Sequence, residues 1–439
     1  MRILIQIAAL VALNLSVATA KSVFAHYMVG TVDATTDHAL RDIDGGIAVG
    51  FDAFALNIGD PTAEWAKSTI DQLFAAAEES GTAFGLFFSF DMLQHPVLAD
   101  HVNLFNEYRD HPNYFRGGAN GFPVVSSYGG YATHDDWASF KDSADIYLIP
   151  NLDDSAPGAG DDAPYYTDTA GQLSGYDFVD GFFSWESAWP ASTEGPVNVN
   201  FAGDQAVMEY AHSFGKDYMM GLSSLQYKDM NGETWYRIGE VNLPQRMEQI
   251  LDLQPDFTEV ITWNDGGESH YIGNLWEEGY STASEILEYA NMADWSHNAW
   301  QPLITSFITA YKDGKTADQM NPPGGVSEPI GAMWYRGMLK SCSESIPANV
   351  DSAVDTVNYA IVVPAGSMDL RIRVSSGGNV LSTVDARPGL NYAAVPGMVV
   401  GAQKVEVLSG DETILSATST SDVTDASKCN FNFNVVGLQ

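Results

Sequence analysis

Residues 21–320 read as a (β/α)8 TIM barrel of the α/β class and residues 333–439 as a C-terminal antiparallel β-sandwich domain, joined by a linker at 321–332. Three observations predict this. Eight short apolar runs alternate with longer amphipathic or polar segments, the pattern of a parallel sheet wrapped by helices. The stretch DQMNPPGGVSEPIG from Asp318, rich in proline and glycine, breaks that alternation. Beyond it, short runs alternate apolar and polar residues between turn residues, as half-buried antiparallel strands do. A doubly wound open sheet is the competing arrangement, but no glycine-rich phosphate loop follows the first strand.

The elements follow in order. Residues 1–20 pair one cation, Arg2, with an apolar run from Ile3 to Ala18 and close on Ala18-Thr19-Ala20, which reads as a secretory signal peptide. Barrel strands are expected to begin near Val23, Ala53, Ala83, Pro123, Asp145, Gly181, Asp217 and Thr258. Between the second and third, Trp65, Ile70, Leu73, Phe74 and Ala77 recur at helical spacing, and Gly81 suits a C-terminal cap. ALRDIDGGIAVG is shaped for a helix, as is LPQRMEQILDL with Pro244 near its start. Long insertions from Asp153 and from Ala191 follow the fifth and sixth strands, where loops rim the cleft of a barrel. The acids of the first insertion, Asp153 to Asp168, leave calcium as an alternative, but they lack EF-hand spacing and read first as a solvated loop, with no metal expected. A helical segment runs to about Lys312, and TVNYAIVVPAG, MDLRIRVSSGG, NVLSTVDA, GLNYAAVP, QKVEVLSGD and ETILSAT supply the sandwich strands. Cys342 and Cys429, the two cysteines of the chain, suggest one disulfide in an exported protein.

Composition narrows the partners. With 57 acidic against 20 basic residues the net charge is -37. A field of that sign repels nucleic acid and anionic membrane, so neither is expected as a partner. No segment after residue 20 keeps the roughly 20 apolar residues of a membrane span. The protein is therefore expected to be secreted, extracellular or associated with a cell wall. A neutral polysaccharide feels no such field.

Barrel enzymes place their chemistry where strands end, and here the strand ends are loaded. His26 and Tyr27 lie late in the first strand, Asn57 in the second, Asp91 after the third, Tyr128 in the fourth and Asn151 in the fifth. Trp185 and Glu186 close the sixth, and ITWNDGGESHYIG from Ile261 closes the eighth, bringing Trp263, Asn264, Asp265, Glu268, His270 and Tyr271 together. Aromatic walls with amides, carboxylates and imidazoles between them suit a sugar, whose C–H faces stack while its hydroxyls hydrogen-bond. Asp265 and Glu268 are positioned to flank a scissile glycosidic bond, one as general acid and the other as general base. Glu186, between Trp185 and Trp189, is their rival, because apolar walls raise a carboxyl toward the range of a general acid. Asp52 lies at the other end of its strand and reads as structural.

The ordered blocks FAHYMVG from Phe24, GFDAFALNIG from Gly50, FGLFFSFDM from Phe84, PVVSSYGG from Pro123, YLIPN from Tyr147, DGFFSWESAWP from Asp180, YMMGLS from Tyr218 and the motif at Ile261 resemble the secreted fungal α-1,3-glucanases (mutanases) of glycoside hydrolase family 71. The resemblance implies hydrolysis of α-1,3-glucan without a cofactor and with inversion at the anomeric carbon, the motif acids mapping onto Asp265 and Glu268. The longer reach of Glu268 suits the acid. Inversion leaves room for a water, so the carboxyl groups are expected roughly 6.5–9.5 Å apart. Two departures stand out: Gly266 where the family carries an aromatic, and Ser224-Leu225-Gln226 where it carries a Pro-Trp-aromatic run. They predict two missing stacking platforms, with Tyr165, Tyr166 or Trp189 as replacements and Leu225→Trp as a gain in binding. The competing class is a catalytically silent glucan-binding wall protein on the same barrel.

Overall fold

The computed structural model describes residues 21–32, 36–152, 169–188 and 200–439. The leader at 1–20, the acids from Asp153 to Asp168, and Tyr165, Tyr166 and Trp189 lie outside the described residues. The N-terminal part forms β1 (Ser22–Met28), β2 (Ala53–Ile58), β3 (Gly85–Asp91), β4 (Arg116–Gly117), β5 (Phe122–Tyr128), β6 (Tyr147–Pro150), β7 (Gly181–Ser184), β8 (Asp217–Ser223), β9 (Gln226–Met230), β10 (Glu233–Arg237) and β11 (Phe257–Ile261). Each expected strand is present. The β9–β10 hairpin was not expected.

Eight strands run parallel in the order β6-β5-β3-β2-β1-β11-β8-β7, a curled sheet whose two ends meet at an isolated parallel bridge between Asn151 and Phe183. Its helices are α1 (Thr36–Val49), α2 (Glu64–Glu79), α3 (Leu98–Tyr108), α4 (His134–Ser143), α5 (Thr169–Leu173), α6 (Ala202–Ser213), α7 (Asn242–Leu253) and α8 (Gln301–Lys312). α2 buries Ile70, Leu73, Phe74 and Ala77, and Gly81 takes φ +62° just past its end. Trp65, counted on the same face, is 49% exposed instead.

Successive side chains of a strand point to opposite faces, and the sheet sorts its residues accordingly. One face is lined at its base by Phe24, whose ring lies 4.9 Å from Phe87, 5.0 Å from Phe115 and 5.8 Å from Phe257. The other face meets the helices, as where Phe54 packs against Tyr27 and Phe84. Asp52, at the base of β2, accepts the Val23 amide and the Lys312 ammonium, a structural tie.

The C-terminal part forms β12 (Ile330–Arg336), β13 (Thr356–Val363), β14 (Leu370–Ser376), β15 (Asn379–Asp385), β16 (Gly389–Pro396), β17 (Gln403–Ser409), β18 (Glu412–Thr418) and β19 (Phe433–Gly437). They make two antiparallel sheets, β16-β13-β12-β19 and β15-β14-β17-β18. Met333, Tyr335 and Ile361 of the first share an apolar core with Ile372, Val374, Val405 and Val407 of the second. β12 opens at Ile330, inside the segment expected to be linker, because it pairs there with β13. A disulfide joins Cys342 to Cys429.

The two parts share one seam. Glu240, 4% exposed, accepts the Tyr236 hydroxyl at 2.8 Å on one carboxylate oxygen and the Val354 amide at 2.9 Å on the other. Arg336 pairs with it at 3.4 Å, and the Trp334 indole donates to its carbonyl at 2.8 Å. Phe431 packs its ring against Tyr227 and Tyr236 of the hairpin.

Candidate active site

β11 leaves the sheet at Ile261, and the next residues fold into a tight turn. The Asp265 amide donates to Thr262 Oγ1 at 2.9 Å, and Asp265 Oδ1 accepts the Glu268 amide at 3.1 Å. Two tyrosines hold the turn from outside. Tyr280 accepts the Gly266 amide at 3.1 Å and donates to the Asn264 carbonyl at 3.0 Å, while Tyr289 donates to the Gly267 carbonyl at 2.8 Å. A Cβ at Gly266 would lie 2.9 Å from the Tyr280 hydroxyl, so Tyr280 and the glycine require each other. Ser269, at φ +59°, takes the left-handed region that costs a non-glycine about 1 kcal/mol. That reversal returns His270 to the acids, its Nε2 3.1 Å from Asp265 Oδ2 and 3.9 Å from Glu268 Oε2.

One ligating atom from each of Asp265, Glu268 and His270 lies within 4.8 Å of the others. This corrects the expected separation. The Asp265–Glu268 turn brings the carboxylates closer than about 6.5–9.5 Å, because the Glu268 amide itself closes onto Asp265. Electrostatics separates the pair. Burial pushes the Asp265 carboxyl up, but the hydrogen bond and charge of His270, the Glu268 amide and the His26 charge outweigh it and leave its pKa below the ordinary value. Burial and the Asp265 charge push Glu268 above its ordinary value, against His270, Arg237 and Lys228.

The surrounding residues come from other strand exits. Gln226 at the start of β9 donates through Nε2 to Glu268 Oε2 at 3.3 Å and to His270 Nδ1 at 3.4 Å. Trp185 lies edge-on to the His26 ring at 4.6 Å and meets the Tyr128 ring at 4.9 Å. Asp91 accepts the Leu93 and Gln94 amides, and Asn57 donates to it at 3.5 Å. Burial raises the Asp91 pKa, opposed by those donors and by His26. Glu186 is paired with Arg237 at 3.3 Å, so a cation stands beside the rival carboxylate.

Several expected contacts are elsewhere. Tyr27 follows His26 and therefore faces the helices, where its hydroxyl donates to Asp42 at 2.8 Å. Trp263 is fully buried on that same side, its ring 5.1 Å from Phe54. Asn264 spends its amide on β1, accepting the Met28 amide at 2.7 Å and donating to the Met28 carbonyl at 3.1 Å. Asn151 accepts the Gly129 amide and donates to the Phe183 carbonyl, bracing two strand exits. Tyr271 stacks on His297 at 4.2 Å in the seam. Leu225 is fully buried against Gly239 rather than lining a rim, and Tyr280 fills the space beside Gly266, so neither position is a lost stacking platform. His26, Asn57, Asp91, Tyr128, Trp185, Glu186, Asp265, Glu268 and His270 remain on the side of the strand exits. Gln226, Arg237, Tyr280 and Tyr289 were not foreseen; nothing in their spacing marks them. Glu259 was also missed, although a charge inside the apolar run FTEVI is a signal in itself.

Solved structures share the curled parallel sheet. The GH99 endo-α-mannosidase from Bacteroides thetaiotaomicron superposes with a TM-score of 0.52 at 11% identity, over 67% of this chain and 99% of that one. The glycosyl hydrolase family 71 profile matches residues 19–439, and the chain belongs to that family. It is similar to the glucan endo-1,3-alpha-glucosidase agn1 of Schizosaccharomyces pombe, at 30% identity over 94% of this chain and 93% of the relative. A mutanase of Penicillium rubens is 31% identical over 94% of this chain and 88% of its own length. The ascus wall endo-1,3-alpha-glucanase of Schizosaccharomyces pombe is 26% identical, over 90% and 91% respectively. The protein is a glycoside hydrolase, which sets aside the silent binding protein.

Proposed function

We propose that the enzyme hydrolyses the α-1,3-glucosidic bonds of α-1,3-glucan outside the cell, with Glu268 as general acid and Asp265 as general base. The observation that carries the assignment is the opposite displacement of two carboxyl groups on one turn. The one that holds its proton longer suits the leaving oxygen, and the one that releases it sooner suits water. The names of the relatives support the substrate. The curled sheet is read as a closed (β/α)8 barrel and the two antiparallel sheets as a sandwich domain that braces it.

In the proposed reaction the sugar lies across Trp185, with Asp91, Asn57, His26 and Tyr128 toward its hydroxyls. Glu268 gives its proton to the glycosidic oxygen as the bond to the anomeric carbon breaks, and Asp265 takes a proton from the water that attacks the opposite face. Inversion then needs a wider pair than the free enzyme has. The Glu268 side chain is 35% exposed against 15% for Asp265, whose oxygens are tied to the Glu268 amide and to His270, so Glu268 is the member free to swing outward. No cofactor enters this scheme, and a chelator is expected to leave the rate unchanged.

On α-1,3-glucan the enzyme is expected to release reducing ends, and Asp265→Asn and Glu268→Gln are each expected to slow it about 10²-fold or more with the unfolding midpoint preserved. Activity retained in both, with Glu186→Gln inactive, would move the site to the β7 exit. Cleavage of other glucans but not the α-1,3-linked one would remove the substrate assignment. Proton spectra early in the digest are expected to show the β-anomer first; an initial α-anomer would mean retention through a covalent intermediate.

A further inference from the structure

Glu259 is the one charged residue of β11, flanked by Phe257, Thr258, Val260 and Ile261, and it is fully buried. Its Oε1 lies 2.6 Å from His26 Nδ1, also fully buried. Burying two ionisable groups is costly unless they serve each other or something else, and this pair is incomplete: among the described residues His26 Nε2 and Glu259 Oε2 both lack a hydrogen-bond partner. The register gives the pair a direction. Glu259 stands beside Phe24, two residues before His26 on β1. The Nδ1 edge of the imidazole therefore faces back into the sheet, and the Nε2 edge faces the strand exits. There Trp185 lies edge-on to the ring, and the carboxylates of Asp91 and Asp265 both feel the His26 charge.

We propose that Glu259 is a positioning residue for hydrolysis: by accepting the Nδ1 proton of His26 it fixes the imidazole so that Nε2 meets a hydroxyl of the sugar bound over Trp185. The inference rests on the site proposed above and adds the group that aims one of its contacts. A sugar hydroxyl both donates and accepts, so it completes Nε2 in either protonation state. Nothing covalent is asked of either residue. The burial that raises the Glu259 pKa, opposed by His26, fits an acceptor that relies on that single partner.

The test uses the full-length enzyme made inactive by Asp265→Asn, with binding of short gluco-oligosaccharides followed by calorimetry. The probe is the α-1,3-linked series, or, should the wild type cleave a different glucan, the oligosaccharides of that glucan, so failure of the substrate assignment leaves this test intact. His26→Ala is expected to weaken binding about tenfold, the worth of one buried hydrogen bond. Glu259→Met, close in shape and without charge, is expected to do the same, whereas Glu259→Gln keeps an acceptor for Nδ1 and is expected to stay within about threefold of the parent. Combining Glu259→Met with His26→Ala is expected to add nothing, because both remove one contact. Thermal unfolding of each variant separates lost contact from lost fold; a variant that does not fold is replaced in the same cycle, Glu259→Met by Glu259→Leu and His26→Ala by His26→Phe. Unchanged affinity in Glu259→Met, or losses that add in the double variant, would overturn the inference.

Discussion

Asp265 and Glu268 differ by one methylene group and share a turn, yet they are displaced to opposite sides of their ordinary titration ranges. The signs set the pH dependence. A base must be ionised, so the rate falls as pH drops through the lowered Asp265 value; an acid must be protonated, so it falls as pH rises through the raised Glu268 value. Arg237 works against the second of these shifts. Removing its charge in Arg237→Met is expected to move the basic limb of kcat/KM to higher pH while the acidic limb stays. An unmoved basic limb would show that Arg237 serves only Glu186. At this scale the sequence exposed the chemistry but not the direction of each side chain. His26 and Tyr27 are adjacent and equally suited to sugars, and only the alternation of β1 decides that one faces the cleft and the other Asp42.

The strands themselves were legible because each is a short apolar run between turn residues, and so were α2, α7 and α8, with their helical periodicity. The β9–β10 hairpin was not, because QYKDM and ETWYR alternate too weakly to stand out from a loop. That omission misplaced a prediction. Leu225, the residue before the hairpin, looks like the site of a lost stacking ring, but a Cβ built at Gly239 would lie 2.4 Å from its own Cβ. Leu225→Trp is therefore expected to overpack the seam and lower stability by about 1–3 kcal/mol, with no gain in oligosaccharide affinity. Denaturant titration beside a binding isotherm distinguishes this from the opposite result, tighter binding at unchanged stability.

Across the whole molecule the seam around Glu240 matters more than composition suggests. Arg336 is 1% exposed and depends on Glu240 and Asp355 for its charge. Glu240→Gln is expected to cost on the order of 3 kcal/mol and to lower the melting temperature of both parts together. Two separated calorimetric transitions, only one of them displaced, would show that the parallel and antiparallel sheets unfold independently. The change from helices and parallel strands to antiparallel ones could be read from the proline-rich break and the change of texture after Asp318. The seam could not, since it joins Glu240 to Trp334 and Arg336, pairs with no local pattern.

The turn between the acids hangs on Tyr289, and the Tyr289 carbonyl is in turn held by Asn432 at 2.9 Å, 143 residues downstream. A ribosome therefore delivers Asp265 and Glu268 long before it delivers the residue that steadies their turn. Through that interval the nascent chain carries bare aromatic rings at Tyr227 and Tyr236, awaiting Phe431. A premature stop codon just ahead of Phe431 would spare every residue proposed to meet the sugar and still yield a chain whose Asp265–Glu268 turn has never been set.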